Sequence, residues 1–517
     1  MQLIKKRSKK AILIFFSVIL LSSPVFPQVN NANLAQLVQN NKNPGKEGIK
    51  KFYAQLNYQP AWIQNQSERL VLFNAVKDAA SLGLEKNEYS FDYLASFNNG
   101  SIHLKNTEDS LEAEITITTI ALHLYSDLVY GNIKPPFGYN GINYDWAYRD
   151  IPVLLAEYIQ AKKLNLLISE LSKGIPELTA LENKIKWFTT IIAEDNFREV
   201  IIVPRKINDT NKNLVLKLYQ LGITTSITDS LPGSILKEKI KEAQRQFALL
   251  ADGTLRSTLI QELNVPLAIR LRELKLSINY FRWLNCLVQY QPAVVVNIPA
   301  AYMKVYRNGK IITEMKMVVG KPSTPTPTLT STITEVILYP YWHVPFSIAT
   351  KELLPIIKRS PAYINTGGYQ VLDSKTGRIV DPYAVNWHSL SRNYFPYTIR
   401  QSTGCDNALG LLKLNFYSPY GVYLHDTPMK FAFSMNRRYL SHGCMRMEKP
   451  MQLGHLVLDK NRIAIDTLEQ KGCLRNQAPI TVKVEEKIGV VVWYNPAGVD
   501  AEGRVVFYED VYGKFHW

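Results

Sequence analysis

The residues of this sequence best suited to chemistry lie in one short segment and in a histidine upstream of it. Residues 441–446 read Ser-His-Gly-Cys-Met-Arg, so the thiol of Cys444 follows a glycine and comes two residues after His442. A cysteine attacks carbonyl carbon as a thiolate and needs a base or a positive charge nearby to lose its proton. His425 lies 19 positions before Cys444, which is too far for one helix face and suits two neighbouring strands or loops. The pattern therefore predicts a nucleophilic cysteine enzyme.

Each residue of this group has a chemical role that its side chain would suit. Cys444 is the predicted nucleophile, and either His425 or His442 could take its proton, the other then serving to orient a neighbouring group. Gly443 would let a substrate carbonyl approach the backbone, whose N–H groups could hold an oxyanion. Arg446 could bind a substrate carboxylate or favour the thiolate, although a structural salt bridge would also explain it.

The four cysteines limit the other chemistries that are open to this chain. If Cys444 stays free, Cys286, Cys405 and Cys473 remain, so at most one disulfide fits and the sequence does not choose it. We expect these three as buried, unpaired thiols. A zinc site would need His425, His442, Cys444 and one more cysteine, but the usual Cys-x-x-Cys or His-x-x-x-His spacing is absent, so we expect no metal.

The composition indicates a globular protein of several domains. The chain has 517 residues, 46% of them hydrophobic and 20% charged, which predicts two to four domains. The formal charge of +16 would suit anionic lipid or an acidic polymer such as cell wall, but it would also suit a solvated surface without a partner. Lysines and arginines are scattered and no nucleic-acid motif accompanies them, so we expect no nucleic-acid partner.

The N-terminus has the order of a secretory signal. Basic residues between positions 5 and 10 precede an apolar stretch at 11–21 and then Ser-Ser-Pro. We expect residues 1–28 to be a signal peptide and the protein to be exported to the periplasm or cell envelope. The apolar stretch is short for a membrane span, which needs about 20 residues. If it is not cleaved, it would be the only contact with the membrane.

Periodicity divides the rest of the chain into helical and β parts. Apolar residues between 111 and 130 recur at helical spacing, and residues 29–204 follow that pattern. A smaller helical module is expected at 205–270, followed by a linking helix over 268–284. From 285 to 465 short alternating runs predict a mostly β catalytic domain, interrupted by a loop at about 345–395. Residues 466–517 should add further strands.

The sequence resembles the L,D-transpeptidases with a YkuD-type catalytic domain. The family motif is a histidine, a spacer and Ser/Thr-His-Gly-Cys, which His425 and residues 441–444 match. The resemblance extends over roughly residues 30–517, most specifically 290–450, and is to the large, YcbB-like members. The other matching blocks are Asn297-Ile298-Pro299, Val319-Gly320-Lys321-Pro322, Tyr341-Trp342-His343-Val344-Pro345, Arg400-Gln401 and Asn407-Ala408-Leu409-Gly410.

This resemblance implies a multidomain α+β fold and assigns roles within it. The helical part would be a scaffold, the 205–270 module a peptidoglycan-binding-like unit, and the 345–395 loop a lid over the site. The resemblance favours His425 as the base. The side chains expected to contact substrate or to shape its pocket are Tyr423, Trp342, Ser441 and Asn407.

The implied reaction is acyl transfer on peptidoglycan stem peptides without a cofactor. Cys444 would attack the third stem residue, release D-Ala and pass the acyl group from a thioester to a second stem, giving a 3-3 cross-link. The family also implies acylation by carbapenems, and wall synthases are candidate partners. Two alternatives stay open: an L,D-carboxypeptidase that uses water as acceptor, and a wall-binding protein without catalysis.

Overall fold

The computed structural model describes residues 26–40, 45–142, 148–203, 207–225, 227 and 230–515. The predicted signal peptide lies almost wholly outside these residues. Among the described helices, none combines the length and the apolar character that crossing a membrane requires.

Helices fill the first half of the described chain, as the periodicity predicts. The 111–130 pattern lies within α5, which the side chain of Asn106 caps by accepting from the N–H of Asp109 and which ends at Gly131. The linking helix is α12, 24 residues long and buried along most of its length. The helices of this half are α1 (Asn31–Asn40), α2 (Lys46–Gln55), α3 (Gln66–Lys77), α4 (Phe91–Asn98), α5 (Thr107–Tyr130), α6 (Ile151–Gln160), α7 (Leu164–Leu171), α8 (Pro176–Ile192), α9 (Ile207–Gln220), α10 (Gly233–Gln246), α11 (Ser257–Leu263) and α12 (Leu267–Tyr290).

The second half is built on one large mixed sheet. Its strands follow the order β1-β5-β10-β11-β13-β4-β3-β2-β15, with β12 beside β4 and β14 beside β5. The strands are β1 (Tyr139–Asn140), β2 (Ala293–Asn297), β3 (Tyr302–Arg307), β4 (Lys310–Gly320), β5 (Leu329–Leu338), β10 (Leu412–Phe416), β11 (Leu424–His425), β12 (Tyr439–Ser441), β13 (Met445–Met447), β14 (Ile480–Lys483) and β15 (Gly489–Trp493).

This sheet separates two hydrophobic cores because successive side chains of a strand point to opposite faces. Val294 and Val296 of β2 belong to the core inside the catalytic domain. Val295, between them, belongs to the core shared with helices α8 to α12. The helical half and the sheet are thus joined by a continuous apolar layer.

Two strands of the C-terminal residues, β14 and β15, belong to this sheet. Strand β15 lies between β2, with which it pairs in parallel, and β5, with which it pairs antiparallel. All five of its residues are buried. After it, β16 (Ala497–Val499) and β17 (Val505–Phe507) form a hairpin that packs against the helical half. The shorter helices α16 (Pro450–Val457) and α17 (Ile463–Lys471) precede these strands.

The segment expected from its composition to be a long loop is instead a folded unit, and that prediction is wrong. It forms a second sheet of four strands in the order β6-β9-β7-β8, with its own buried cluster that includes Ile357, Val371 and Ile399. Apolar residues spread between its prolines and glycines are enough to close a small core. Its elements are β6 (Trp342–His343), α13 (Phe346–Ile348), α14 (Leu354–Arg359), α15 (Tyr363–Thr366), β7 (Tyr369–Asp373), β8 (Ile379–Val380) and β9 (Tyr397–Gln401). We call residues 342–401 the lid unit.

The structure also corrects the expectation about the cysteines. Cys405 and Cys473 form a disulfide with their Cα atoms 5.2 Å apart, although 68 positions separate them in sequence. Cys286 is free and buried, and Cys444 is free and partly exposed. The pairing escaped sequence reasoning because it depends on how the loop after β9 meets the segment after α17.

Candidate active site

Three strands of the large sheet carry the polar residues of the candidate site on one face. Their register places Lys413 of β10 opposite His425 of β11, and His425 opposite Arg446 of β13. The alternate residues, such as Leu424 and Met445, point into the core. By the same alternation Cys444 shares the face of Arg446 and lies beside Tyr423. The sheet therefore brings Cys444, His425 and Arg446 together, as the sequence predicts.

The turn that carries the thiol is held by hydrogen bonds from its own residues and from a neighbouring loop. The hydroxyl of Ser441 donates to the carbonyl of Cys444 at 2.5 Å and accepts from the N–H of Gly443 at 3.2 Å. Thr326 donates to the carbonyl of Gly443 at 2.9 Å. Gly443 has a φ of +113°, in the region that favours glycine, so a side chain here would strain the turn.

The thiol of Cys444 lies beside a tyrosine and two cations. The hydroxyl and the backbone N–H of Tyr423 both hydrogen-bond to its sulfur. Burial raises the pKa of the thiol, whereas the bonds from Tyr423 and the charges of Lys413 and Arg446 act in the opposite direction. A thiolate is stabilised here by donors and positive charge, although burial alone would oppose it.

Neither of the two cations forms a salt bridge with a carboxylate of the described residues, although the charge of Glu335 acts on Lys413. Lys413 places its Nζ 4.0 Å from the centre of the Tyr423 ring. Arg446 contacts Met429, with Nη1 3.5 Å from its sulfur, and its buried Nε has no hydrogen-bond partner among the described residues. Burial lowers the pKa of both side chains, and the charge of Cys444 works against that lowering. Two charges held beside a thiol without an acid can act on the thiolate or on a bound anion.

His425 is buried, with 4% of its surface exposed, and its ring is neutral. Burial, followed by the charge of Arg446, lowers its pKa to about 3, while the carbonyl of Asp426 acts in the opposite direction. Nδ1 lies 2.5 Å from that carbonyl oxygen, which can only accept, so Nδ1 carries the proton and Nε2 is free to receive one. Among the described residues, no hydrogen bond joins this ring to Cys444.

His442 points away from the thiol and contacts the lid unit. Its side chain is about one-third exposed, and Nε2 lies 2.8 Å from a carboxylate oxygen of Glu352. Glu352 lies on a short π-helical turn, Ala349–Leu353, between α13 and α14. This geometry gives His442 a contact with the lid, whereas the buried His425 has the position of a base.

The four residues expected to contact substrate fall into two groups. Trp342 hydrogen-bonds to the hydroxyl of Tyr423, and both partly exposed rings form a wall beside the thiol. Ser441 and Asn407 are buried, with 2% and 1% of their surface exposed. The amide of Asn407 donates to the carbonyls of Pro340 and Ser402, so this geometry suits shaping the loop rather than contacting substrate.

Sequence reasoning missed Lys413, Glu352 and Asp426. Asp426 accepts from the N–H of Leu411 at 2.9 Å and from Lys430 at 2.5 Å, and so fixes the backbone that carries His425. Its place directly after the predicted base could have signalled this role. Lys413 and Glu352 carry no local signal, because each reaches the site only through strand register or through the fold of the lid unit.

One group of possible metal ligands occurs among the described residues, and it lies outside this site. His455, Asp466 and Glu469, on α16 and α17, bring one ligand atom each within 4.8 Å of one another. The two acids are exposed and the histidine is partly buried, and such groups are common on helix surfaces without an ion.

Comparisons with known proteins match two parts of this chain. Residues 291–465 match the family model of the L,D-transpeptidase catalytic domain, named YkuD, and residues 47–184 match that of the Scaffold domain. A Haemophilus influenzae protein, whose name assigns it provisionally to the L,D-transpeptidases, is 34% identical over 239 residues. That match covers 46% of this chain and 47% of the relative, so the chain spans about half the length of the curated relative.

Solved structures also show similarity to this chain. An L,D-transpeptidase from Mycobacterium smegmatis is 17% identical, with 39% of this chain and 58% of the other covered and a TM-score of 0.18. L,D-transpeptidase 3 from Mycobacterium tuberculosis, in complex with a faropenem-derived adduct, is 14% identical, with 39% and 60% covered and a TM-score of 0.18.

Proposed function

We propose that this chain, which belongs to the L,D-transpeptidase family by its catalytic and scaffold domains, forms 3-3 cross-links between peptidoglycan stem peptides. The observation that carries the proposal is the position of the free thiol of Cys444 between Tyr423 and the cations Lys413 and Arg446, with neutral His425 on the same face. These residues supply a nucleophile, a base and an anion site without a cofactor.

In the first half-reaction Cys444 becomes acylated. The proton of its Sγ passes to Nε2 of His425, and the sulfur attacks the carbonyl carbon of the third stem residue. The bond to the D-Ala nitrogen then breaks, and the same proton goes to the leaving amine. D-Ala departs and a thioester remains on Cys444. His425 enters this step neutral because burial holds its pKa far below the working pH.

The backbone of the turn can stabilise the oxyanion of this step. The N–H of Gly443 is already used by Ser441. The N–H of Cys444 has no hydrogen-bond partner among the described residues and so can donate to the developing charge. Lys413 and Arg446 would bind the free carboxylate of the donor stem, since neither forms a salt bridge within the part of the chain that the structure describes.

In the second half-reaction an amine of another stem peptide attacks the thioester. Its lone pair displaces Sγ, His425 takes the proton of the amine and returns it to the sulfur, and the new amide is the cross-link. Water in place of the amine would make the enzyme an L,D-carboxypeptidase. The lid unit, which touches the site through Glu352 and Trp342, would decide the balance by excluding water.

The test is incubation of purified protein with a disaccharide-tetrapeptide, followed by mass spectrometry. We expect a cross-linked dimer and free D-Ala from the wild-type protein and neither from Cys444→Ala. Tripeptide without dimer would favour the carboxypeptidase. Absence of both products, with a folded protein, would leave the wall-binding alternative and contradict the proposal.

The export of this protein is part of the proposal. The disulfide between Cys405 and Cys473 supports it, because such bonds persist in oxidising compartments such as the bacterial periplasm. Fractionation of cells that produce the full chain, with the disulfide followed by thiol labelling, tests this location. An association with wall synthases would be tested by cross-linking in the same cells.

We also propose that carbapenems acylate Cys444. A strained β-lactam carbonyl presents the same electrophile to the thiolate. The mass of intact protein should rise by one drug molecule in the wild type and stay unchanged in Cys444→Ala.

A further inference from the structure

A large cavity lies between the helical module, the sheet and the C-terminal hairpin. Its volume is about 820 Å³, within the range of roughly 300–1,000 Å³ that ligand pockets occupy. The residues that line it come from α10 and α11, from strands β2 and β3, and from the segments around β12 and the β16–β17 hairpin. Neither Cys444 nor His425 lines it, so the cavity is separate from the active site.

The floor of this cavity is a row of three polar or aromatic side chains on adjacent strands. Asn297 of β2 pairs with Tyr302 of β3 on one side and with Trp493 of β15 on the other. All three line the cavity. The side chain of Asn297 is fixed, because its amide donates to the carbonyl of Asn495 and its oxygen accepts the N–H of the same residue.

Three aromatic residues of the cavity have a polar group without a hydrogen-bond partner among the described residues. The indole N–H of Trp493, a residue with only 2% of its surface exposed, has no hydrogen-bond partner among the described residues. The hydroxyls of Tyr302 and Tyr508 make no hydrogen bond to other described side chains or backbone either. A buried donor without a partner costs free energy, so a ligand that accepts from Trp493 would recover it.

The charges of the lining are already neutralised by neighbours. Lys304 pairs with Glu177, Arg437 with Glu509, and Arg504 with Asp500. Arg438 donates to backbone carbonyls. Arg245 remains the exception among the lining cations of the described chain. A cavity of this kind does not select a ligand by its charge.

From these observations we infer that the cavity binds an uncharged saccharide of the glycan strand. A pyranose ring has a face of C–H groups that packs on aromatic rings, and a rim of hydroxyl and acetamido groups that would bond the free polar edges of Trp493, Tyr302 and Tyr508. An anionic ligand would call for several unpaired charges, whereas Arg245 alone among the described lining cations has neither a carboxylate nor a carbonyl partner.

The position of the cavity suits a glycan whose stem peptides are processed elsewhere on the molecule. Tyr439, which lines the cavity, is the first residue of β12, and Ser441 at the other end of that strand begins the turn of the thiol. A glycan held here would bring its stem peptides close to the sheet that carries Cys444. The inference rests on the proposed function for the choice of glycan only.

The test measures binding in Cys444→Ala protein, so that it does not depend on catalysis. Calorimetry with the β-1,4-linked tetramer of N-acetylglucosamine should show saturable binding, and an anionic oligogalacturonate of equal length should bind far less. Tyr302→Phe and Tyr508→Phe keep the ring and remove the hydroxyl, and Trp493→Phe replaces the indole by a smaller ring without the N–H; each should weaken binding about three- to tenfold. Tyr417→Phe, at a tyrosine that is 65% exposed and not in the lining, is the matched control.

Two results would overturn the inference. One is the absence of saturable tetramer binding by protein that is folded according to its circular dichroism. The other is binding that none of the three variants weakens relative to Tyr417→Phe. Because Trp493 is also part of the core, the two tyrosine variants decide the matter if Trp493→Phe unfolds. Failure here would leave the cross-linking assay unaffected, and a failed cross-linking assay would not alter this binding result.

Discussion

Replacement of Arg446 by methionine should raise the pKa of the Cys444 thiol. Cys444 directly precedes strand β13 and Arg446 lies on that strand two positions later, on the same face. Cα atoms two positions apart in extended chain are about 6.7 Å apart, and we take this as the order of the distance between the charges. At an effective dielectric constant of about 20, unit charges at that distance interact by about 2.5 kcal/mol, and less where solvent reaches them. Since one pKa unit is worth about 1.36 kcal/mol, the expected rise is one to about two units.

The direction of this change in the pKa of Cys444 follows from the contacts of the thiol. Burial raises the pKa of Cys444 and the charge of Arg446 counteracts that rise, so its loss leaves burial less opposed. At a pH below the thiol pKa, each unit of increase lowers the thiolate fraction about tenfold, and the acylation rate should fall with it.

The measurement is the rate of alkylation of Cys444 by iodoacetamide between pH 5 and 10, in protein whose buried Cys286 is replaced by alanine. Arg446→Lys keeps the charge and should restore most of the wild-type curve. Arg437→Met removes an arginine whose side chain is 69% exposed and should leave the curve unchanged. A thiol pKa in Arg446→Met within about 0.3 unit of the wild-type value would refute the electrostatic reasoning.

Four further predictions concern the site residues and the disulfide. His425→Gln should slow acylation by a β-lactam about 10²- to 10⁴-fold. Burial lowers the pKa of His425 to about 3, against about 6.5 in the unfolded chain. Below pH 6.5 the unfolded chain therefore binds a proton that the folded protein does not, and the free energy of unfolding decreases as the pH falls toward 3. In urea unfolding the wild type should therefore lose stability relative to His425→Gln between pH 7 and 4, and a constant difference would contradict this. Replacement of Cys405 and Cys473 by serine should lower the free energy of unfolding by about 4 kcal/mol, as should a reductant on the wild type, but not on the variant. Glu352→Gln should weaken the contact with His442 by up to about 1 kcal/mol and increase hydrogen exchange in the lid unit. Unchanged exchange would show that this contact does not hold the lid unit in place.

The reactive residues of this chain could be predicted from the sequence, because their types and spacing carry the information. Cys444 and His425 stand in a motif, and Gly443, which directly precedes Cys444, has a backbone angle that favours glycine. The long helix α5 and the linking helix α12 were predictable from apolar periodicity for a similar reason. Their pattern lies within one stretch of chain.

Features that depend on distant residues could not be predicted. Strand β11 has two residues and β13 has three, too few to show alternation, so the row that joins Lys413 to Arg446 exists only once the sheet has its register. The contact of Glu352 with His442 joins residues 90 positions apart. The lid unit folds around a core of its own. Its composition, rich in proline and glycine, predicts a loop and gives no sign of that core.

The disulfide between Cys405 and Cys473 has a consequence for proteolysis. The chain between the two cysteines is a closed covalent ring that contains Lys413, His425 and Cys444, whereas the lid unit at 342–401 lies outside it. A protease that cuts the exposed stretch near Arg437 would leave both pieces linked, and they would separate on a gel only after reduction. A cut in the lid unit would produce fragments that no bond retains. The residues of the reaction are thus fastened together even where the backbone is nicked, while the lid depends on an unbroken chain.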